Sequence, residues 1–238
     1  MEWSGEFCFG EMLAAYVGFA AHNAPHRHAA HQVVVADEPF VVALAGGVQV
    51  TGTTVAIRPA AQHALLARGV VRLLYVEPTS PLAEQLAWCL GSEDAASIPS
   101  DMLRLPISGS AREWVTNLQV AFGVRCGSLD PRLLAVLTRL GGGAKPPSIE
   151  SCARLAGLST SRLRTLAREQ LGVSLSTWML WRKLDRAARA VLDGEPLARA
   201  AALGGFCDQA HFTRTMGRMF GVTPRVATLH VESSTDVP

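Results

Sequence analysis

The sequence predicts an α+β protein of two domains, with a strand-rich N-terminal part and an all-helical C-terminal part. Up to about residue 78, short segments rich in Val, Thr, Ala and Leu recur at close spacing, and Gly46-Gly47 separates two of them as a hairpin turn does. Many short strands favour a small barrel or sandwich. From Ser148 to about Ala227 the pattern is helical in short pieces. The predicted strands are Val33–Ala36, Phe40–Leu44, Val48–Thr51, Thr54–Ile57 and Val70–Val76.

The composition is that of a globular protein. The 238-residue chain is 49% hydrophobic and 18% charged. These fractions exclude a disordered chain, and a chain of this length can bury a hydrophobic core without disulfides. The 5 cysteines include no CxxC pair, which suits a reducing compartment. No apolar run approaches the ~18 residues of a membrane helix, and the N-terminus lacks the basic start of a signal peptide. We therefore expect a cytoplasmic protein with no membrane partner.

Charge divides the chain unevenly. Residues 1–145 hold 10 Lys and Arg against 12 Asp and Glu, a net charge of −2, whereas residues 146–238 hold 12 against 8, a net charge of +4. This division predicts that the C-terminal part lies near an anionic partner.

Three further helices are predicted between the two parts, over Pro81–Leu90, Ser110–Phe122 and Asp130–Leu140, with an irregular stretch at residues 91–109. Gly141-Gly142-Gly143 then breaks the chain. The predicted organisation is a sensor at residues 1–79, a helical linker or dimerisation region at 80–128, a helical domain at 129–230 and a tail at 231–238.

The first helix-turn-helix pattern begins at Ser148. A short helix is followed by the tight turn Gly157-Leu158-Ser159, and a second helix runs over Thr160–Gln170 and ends at Gly172. Arginine and hydroxyl side chains suit phosphates and base edges. Such side chains recur at i, i+3, i+4 and i+7 on the face opposite the apolar one: Ser161, Arg164, Thr165 and Arg168.

The pattern returns near the C-terminus. A helix over Leu197–Leu203 is followed by the turn Gly204-Gly205-Phe206, and Asp208 caps a second helix over Gln209–Phe220. The helix Leu175–Leu192 between the two units is 18 residues long, about 27 Å at 1.5 Å per residue. A rigid spacer of this length could place two recognition helices in adjacent major grooves, which repeat about every 34 Å.

Taken together, these motifs resemble the AraC/XylS family of bacterial transcription regulators over roughly residues 130–230. The string Gly205-Phe206-Cys207-Asp208-Gln209-Ala210-His211-Phe212 and the later Phe220-Gly221-Val222-Thr223-Pro224 are the most specific parts. Supporting residues are Ala153, Gly157-Leu158-Ser159, Leu163, Gly172-Val173-Ser174, Arg182-Lys183-Leu184 and Ala187. The resemblance implies an all-helical domain with two helix-turn-helix units that binds a bipartite site on double-stranded DNA.

Site residues follow from the exposed faces and the resemblance. We expect base contacts in two adjacent major grooves from Ser161, Arg164 and Thr165 and from Gln209, Ala210 and Arg214. We expect phosphate contacts from Arg162, Arg168, His211, Thr213 and Arg218. The resemblance leaves RNA polymerase open as a protein partner. It also implies a homodimer, so the stripe with Trp114 and Leu118 is either core or a dimer seam.

The N-terminal part holds five of the seven histidines. His26-Arg27-His28 with Gln32, and His63 after Pro59, resemble the two motifs of the cupin barrel, and AraC-type regulators often carry such a barrel as a ligand-binding half. His26 and His28 alternate as residues on one strand face do. Three imidazoles and an amide suit zinc, nickel, copper or iron. The alternative is a wall of an organic-ligand pocket, and His22 and His31 are expected at the surface.

The sequence thus predicts a sequence-specific DNA-binding regulator that senses a small molecule or a metal and is not an enzyme. One alternative is a metal-dependent cupin enzyme with a helical appendage, which the lack of an acid, base or nucleophile beside the histidines disfavours. The other is an architectural DNA-binding protein without an effector.

Overall fold

The computed structural model describes residues 3–10, 12–99, 109–122, 129–142 and 146–220, so the predicted tail lies outside the described part. The strands are β1 Ser4–Phe9, β2 Leu13–Ala20, β3 His31–Leu44, β4 Gln49–Ile57, β5 His63–Leu66, β6 Gly69–Val76 and β7 Ala95–Ser97. The helices are α1 Pro81–Leu90, α2 Ala111–Phe122, α3 Pro131–Gly141, α4 Ile149–Leu155, α5 Thr160–Leu171, α6 Leu175–Leu192, α7 Leu197–Gly204 and α8 Gln209–Phe220.

The two-part α+β organisation is confirmed, but the sheet is open. Its strands pair antiparallel in the order β1-β2-β6-β3-β4-β7, and β5 pairs with β3. Among the described residues β1 and β7 end this path and do not pair with each other, so the closed barrel that the strand pattern favoured is not formed. The strands predicted around Val33 and Phe40 are one strand, β3, whose pairing with β4 shifts register between Val35 and Phe40.

The described elements of the predicted linker region, α1, β7 and α2, pack on or pair with the sensor's sheet. Strand β7 pairs with β4 inside the stretch that was expected to be irregular. Helix α2 packs on β1 and β2, and α1 packs on β4 and β7. Trp114 and Leu118 are 1% and 0% exposed in this layer. Of the two alternatives for this stripe, the single chain shows the core, because both side chains are buried in the sensor; a dimer seam at α2 stays a prediction.

Serine caps explain where the C-terminal helices begin. Ser148, Ser159 and Ser174 each accept a backbone N–H from the first turn of α4, α5 and α6. Gly172 ends α5 with a φ of 68°, which glycine adopts without strain. Helix α6 has the predicted bounds and length of 18 residues.

Helix α3 packs against α4, α5 and α6 and buries Leu133, Val136, Leu137 and Leu140. Each of these side chains contributes about 1.5–3 kcal/mol when buried, a sum comparable to the stability of a small domain. A fragment from Leu129 to Pro238 should therefore melt cooperatively in circular dichroism, whereas one from Pro146 should not. Equal melting temperatures would show that α3 is dispensable. Both fragments lack the sensor equally, so each is the control for the other.

Candidate nucleic-acid interface and histidine cluster

The first helix-turn-helix unit is α4, the turn at Gly157 and α5. Gly157 has a φ of 66°, and Ser159 Oγ accepts the N–H of Arg162 at 3.1 Å, which fixes the start of α5. Leu163, Leu166 and Ala167 are buried. The predicted contact residues are all exposed on this helix: Ser161, Arg162, Arg164, Thr165 and Arg168.

Two of these arginines make ion pairs at the surface. Arg164 lies 3.8 Å from Glu150 and Arg162 lies 3.5 Å from Glu169, and all four side chains are more than half exposed. Pairs of this kind contribute little to stability. Both guanidinium groups can therefore exchange these partners for an anionic ligand at small cost.

The second unit is α7, the turn at Gly205 and α8. Asp208 Oδ1 accepts the N–H of His211 at 2.6 Å, and Phe212, Met216 and Met219 are buried. His211 and Thr213 are half-buried, and the His211 ring lies edge-on to Phe206 with centroids 5.2 Å apart. The other predicted contact residues are exposed: Gln209, Ala210, Arg214 and Arg218.

His26, His28 and His63 form a buried cluster in the sensor. They are 4%, 1% and 2% exposed, and one ring nitrogen of each lies within 4.8 Å of the others. Backbone hydrogen bonds of 2.9 and 3.0 Å join His26 to His63 as an isolated bridge. His28 lies outside any strand, so the argument from alternation along one strand was wrong although it paired the right residues.

Backbone carbonyls fix how these three rings are protonated. Nδ1 of His26, His28 and His63 lies 3.1, 2.8 and 3.0 Å from the carbonyl oxygens of Ala24, Ala30 and Ala61. A carbonyl oxygen only accepts, so each Nδ1 carries the proton and donates. In neutral rings the three Nε2 atoms then carry lone pairs, which is the arrangement of metal-binding histidines.

Gln32 lies at the centre of the cluster and is 3% exposed. Its Oε1 is 3.2 Å from His28 Nε2 and 2.9 Å from His63 Nε2. Because neither of these Nε2 atoms carries a proton, neither can donate a hydrogen bond to the Gln32 oxygen. His26 Nε2 has no hydrogen-bond partner within the described chain. A turned amide, whose NH₂ donates, or a cation between the nitrogens would satisfy the group. The donor set therefore fits a metal ion.

Burial keeps these histidines neutral. It lowers the pKa of His28 to about 3, with a further contribution from His26, and it lowers the pKa of His63 well below its usual value. Burial also lowers the pKa of His26. Neutral rings are the form that binds metal.

The two remaining sensor histidines differ from each other. His22 is exposed, as predicted, but His31 is 7% exposed, so its placement at the surface was wrong. His31 begins β3, the central strand, and lines a cleft together with residues of α1. Burial, then the charge of Arg58, lowers its pKa to about 4.

Aromatic side chains close over the cluster, and the sequence reasoning missed them. Tyr75 of β6 and Trp181 of α6 lie 5.3 and 6.2 Å from the His28 ring. Phe220, at the end of α8, lies 5.2 Å from Tyr75 and 5.5 Å from Trp181. We call Tyr75, Trp181 and Phe220 the aromatic roof. The sequence did carry one signal for this contact. Helix α6 holds Trp178 and Trp181, and a helix that only separated the two helix-turn-helix units would not need two tryptophans.

Comparison with known proteins supports a helix-turn-helix domain in the helical half. A family model described as a helix-turn-helix domain matches residues 152–228. The chain carries an AraC-type helix-turn-helix domain. A curated relative, the "Probable transcriptional regulator LumQ" of Photobacterium leiognathi, is 28% identical over 81 residues, which are 34% of this chain. The match spans about a third of the length of that relative.

Solved structures resemble the whole fold. ToxT from Vibrio cholerae O395 is 11% identical with a TM-score of 0.58, covering 92% of this chain and 99% of that one. A fatty-acid-bound ToxT of the same species is 11% identical with a TM-score of 0.57, covering 94% and 95%. At this identity the likeness shows the fold alone. No described helix is long and apolar enough to span a membrane.

The AraC-type domain contacts the sensor through a buried carboxylate. Glu77, which follows β6, is 6% exposed. Its Oε2 accepts from Arg182 at 2.8 Å, and its Oε1 accepts from Trp178 Nε1 at 3.2 Å. Thr79 donates to the same Oε1 at 3.2 Å. One sensor residue thus holds two side chains of α6 beside the aromatic roof.

Proposed function

We propose that this protein is a sequence-specific, DNA-binding transcription regulator whose N-terminal half senses a metal or a small molecule. The observation that carries the proposal is the exposure of both predicted base-contact faces within the AraC-type domain. The buried faces of α5 and α8 form the core, so the arginines and polar side chains on the outer faces are left for a ligand. Exposed arginines at helical spacing suit the phosphates and base edges of a major groove.

Selection of bound duplexes from random DNA tests this function. We expect enrichment of a bipartite sequence whose two parts lie about 10–10.5 base pairs apart, because successive major-groove faces repeat at that distance. Binding without enrichment, with affinity that depends on salt alone, would instead support the architectural alternative. Contact with RNA polymerase and formation of a homodimer both stay predictions. Sedimentation of the full chain measures whether the homodimer forms.

For the sensor we propose a cupin-like half in which His26, His28 and His63 hold one transition-metal ion with Gln32. Three lone-pair nitrogens converge there, each ring donates its other N–H to a carbonyl, and His26 Nε2 is buried without a partner among the described residues. The metal would supply a positive charge beneath the aromatic roof. Among the residues that the structure describes, no acidic side chain belongs to this cluster. This supports binding rather than hydrolysis, and a cupin enzyme would instead show turnover.

Changing His28 and His63 together to Ala should abolish metal binding. Two of the four proposed ligands are then lost, and too few donors remain to compete with water. Elemental analysis of protein purified without a His tag should find about one equivalent of metal in the unmodified chain and none in the double variant. His22→Ala, an exposed histidine outside the cluster, is the matched control. A metal-free unmodified chain that still answers an organic effector would favour the pocket-wall alternative.

The low histidine pKa values set the pH dependence of this site. Unfolded histidines titrate near about 6.5, and a simple imidazole site would lose metal through about pH 6. Here the folded pKa values lie lower, so bound metal should persist at a pH where a simple imidazole site has already lost it. The same shift also affects stability. Below about pH 6.5 the unfolded chain binds protons that the folded chain does not, so the free energy of unfolding of the metal-free protein decreases as the pH is lowered. Loss of metal at about pH 6 would contradict burial of these rings.

A further inference from the structure

A second cleft lies between the sensor and the first helix-turn-helix unit, away from the aromatic roof. Its volume is about 350 Å³, within the range of small-molecule sites. The sensor contributes His31, Arg58 and Pro59, and the C-terminal end of α5 contributes Glu169 and Leu171. The cleft therefore belongs to neither half alone.

His31 lines this cleft beside Arg58, although the residue is only 7% exposed. Its Nδ1 makes no hydrogen bond to any described residue and is itself enclosed by protein atoms, so this nitrogen does not face the cleft. Arg58 lies in the same wall, held by its guanidinium bond to the Gly91 carbonyl and by the backbone bond from its N–H to Asp94 at 2.8 Å.

The charges around the cleft are of both signs. Arg58 is cationic, whereas Glu84 of α1 and Glu169 of α5 are acidic. Glu169 is 54% exposed and pairs with Arg162 only at 3.5 Å, a weak surface pair that can be exchanged. A ligand with only a negative charge would be repelled by Glu169, and a ligand with only a positive charge would be repelled by Arg58. The apolar residues Pro59 and Leu171 also line the cleft.

We propose that this cleft binds a small zwitterion, a free amino acid with an apolar side chain. Its carboxylate accepts from the Arg58 guanidinium, its ammonium pairs with Glu169, and its side chain packs on Pro59 and Leu171. Because the walls come from both halves, the bound molecule holds the end of α5 against the sensor. The proposal rests on the proposed function only where it calls this molecule an effector, because binding of the molecule can be measured without DNA.

Thermal melting of the full chain with each of the twenty L-amino acids tests the site. At about ten times its Kd, an amino acid that binds should raise Tm by about 3–6 °C. Its des-amino and decarboxylated analogues should not; for L-leucine these are 4-methylpentanoate and 3-methylbutylamine. Arg58→Gln should lose the shift, and Arg68→Gln, an exposed arginine of the same half, should keep it.

A second variant tests the place of binding. Ala87 of α1 lines the cleft and is exposed, so Ala87→Phe fills the space without disturbing the core. It should fold and lose the shift. The proposal is overturned if no amino acid raises Tm, if the des-amino analogue acts equally, or if the Ala87→Phe chain responds as the unmodified chain does. A chain that selects a DNA sequence but binds no amino acid refutes this site and leaves the proposed function standing.

Discussion

Arg164→Ala and Arg214→Ala should each lose discrimination at one base pair of the selected site. A bidentate arginine–guanine contact contributes about 1–3 kcal/mol of discrimination, which is roughly a 5- to 150-fold preference. Both side chains are exposed on the outer faces of α5 and α8, so their removal should leave the fold intact. Competition binding against each single-base variant of the site measures the effect position by position.

Two controls separate base reading from general charge. Arg168→Ala, on the same face of α5, should weaken all sequences alike and flatten the salt dependence, as loss of a phosphate contact does. Arg112→Ala removes an exposed arginine from α2 of the sensor and should change neither property. Equal loss of specific and nonspecific affinity in the Arg214 variant would assign that residue to phosphates instead.

Local signals made the helical half predictable. The serine caps, the glycine turns and the i, i+3, i+4, i+7 faces depend on residues close in sequence, and α6 and α8 have the bounds that were predicted. The strands before β3 were less predictable, because β1 and β2 owe their form to pairing with each other and with β6. Pairing of this kind depends on distant residues, which periodicity does not reveal.

The candidate site was also predicted only in part. His26, His28 and His63 were grouped correctly because their types and spacing suggest a shared function, although only the backbone bridge between His26 and His63 explains why they meet. His31 was misplaced because it begins a strand that pairs with β6, and Val76, its partner in that pairing, is distant in sequence. The aromatic roof was missed because it joins β6 to α6 and α8.

The roof links the two halves of the proposed function. Phe220 ends the helix whose first residues are expected to read DNA, and it lies on Tyr75, which in turn lies on His28. A backbone bond of 3.5 Å from the Arg27 N–H to the Arg218 carbonyl joins the same elements. Direct contacts within one chain therefore join the cluster to α8.

Arg182→Met should destabilise the contact between the halves, because it leaves the Glu77 carboxylate buried with only Trp178 and Thr79 as donors. Truncating one partner of a buried, hydrogen-bonded ion pair costs about 2–5 kcal/mol. We expect the lower part of this range, since the Arg182 side chain is 28% exposed and also lies 3.5 Å from Asp185. Denaturant unfolding of the full chain measures the loss.

The double variant gives the sharper result. Arg182→Met with Glu77→Leu removes both charges, so it should be more stable than Arg182→Met alone, as expected when the cost comes from an unpaired buried charge. Arg199→Met, which breaks the exposed pair with Glu195, should cost less than about 1 kcal/mol. A double variant less stable than either single one would mean that Glu77 and Arg182 contribute independently, and an unpaired buried charge would not explain the loss in Arg182→Met.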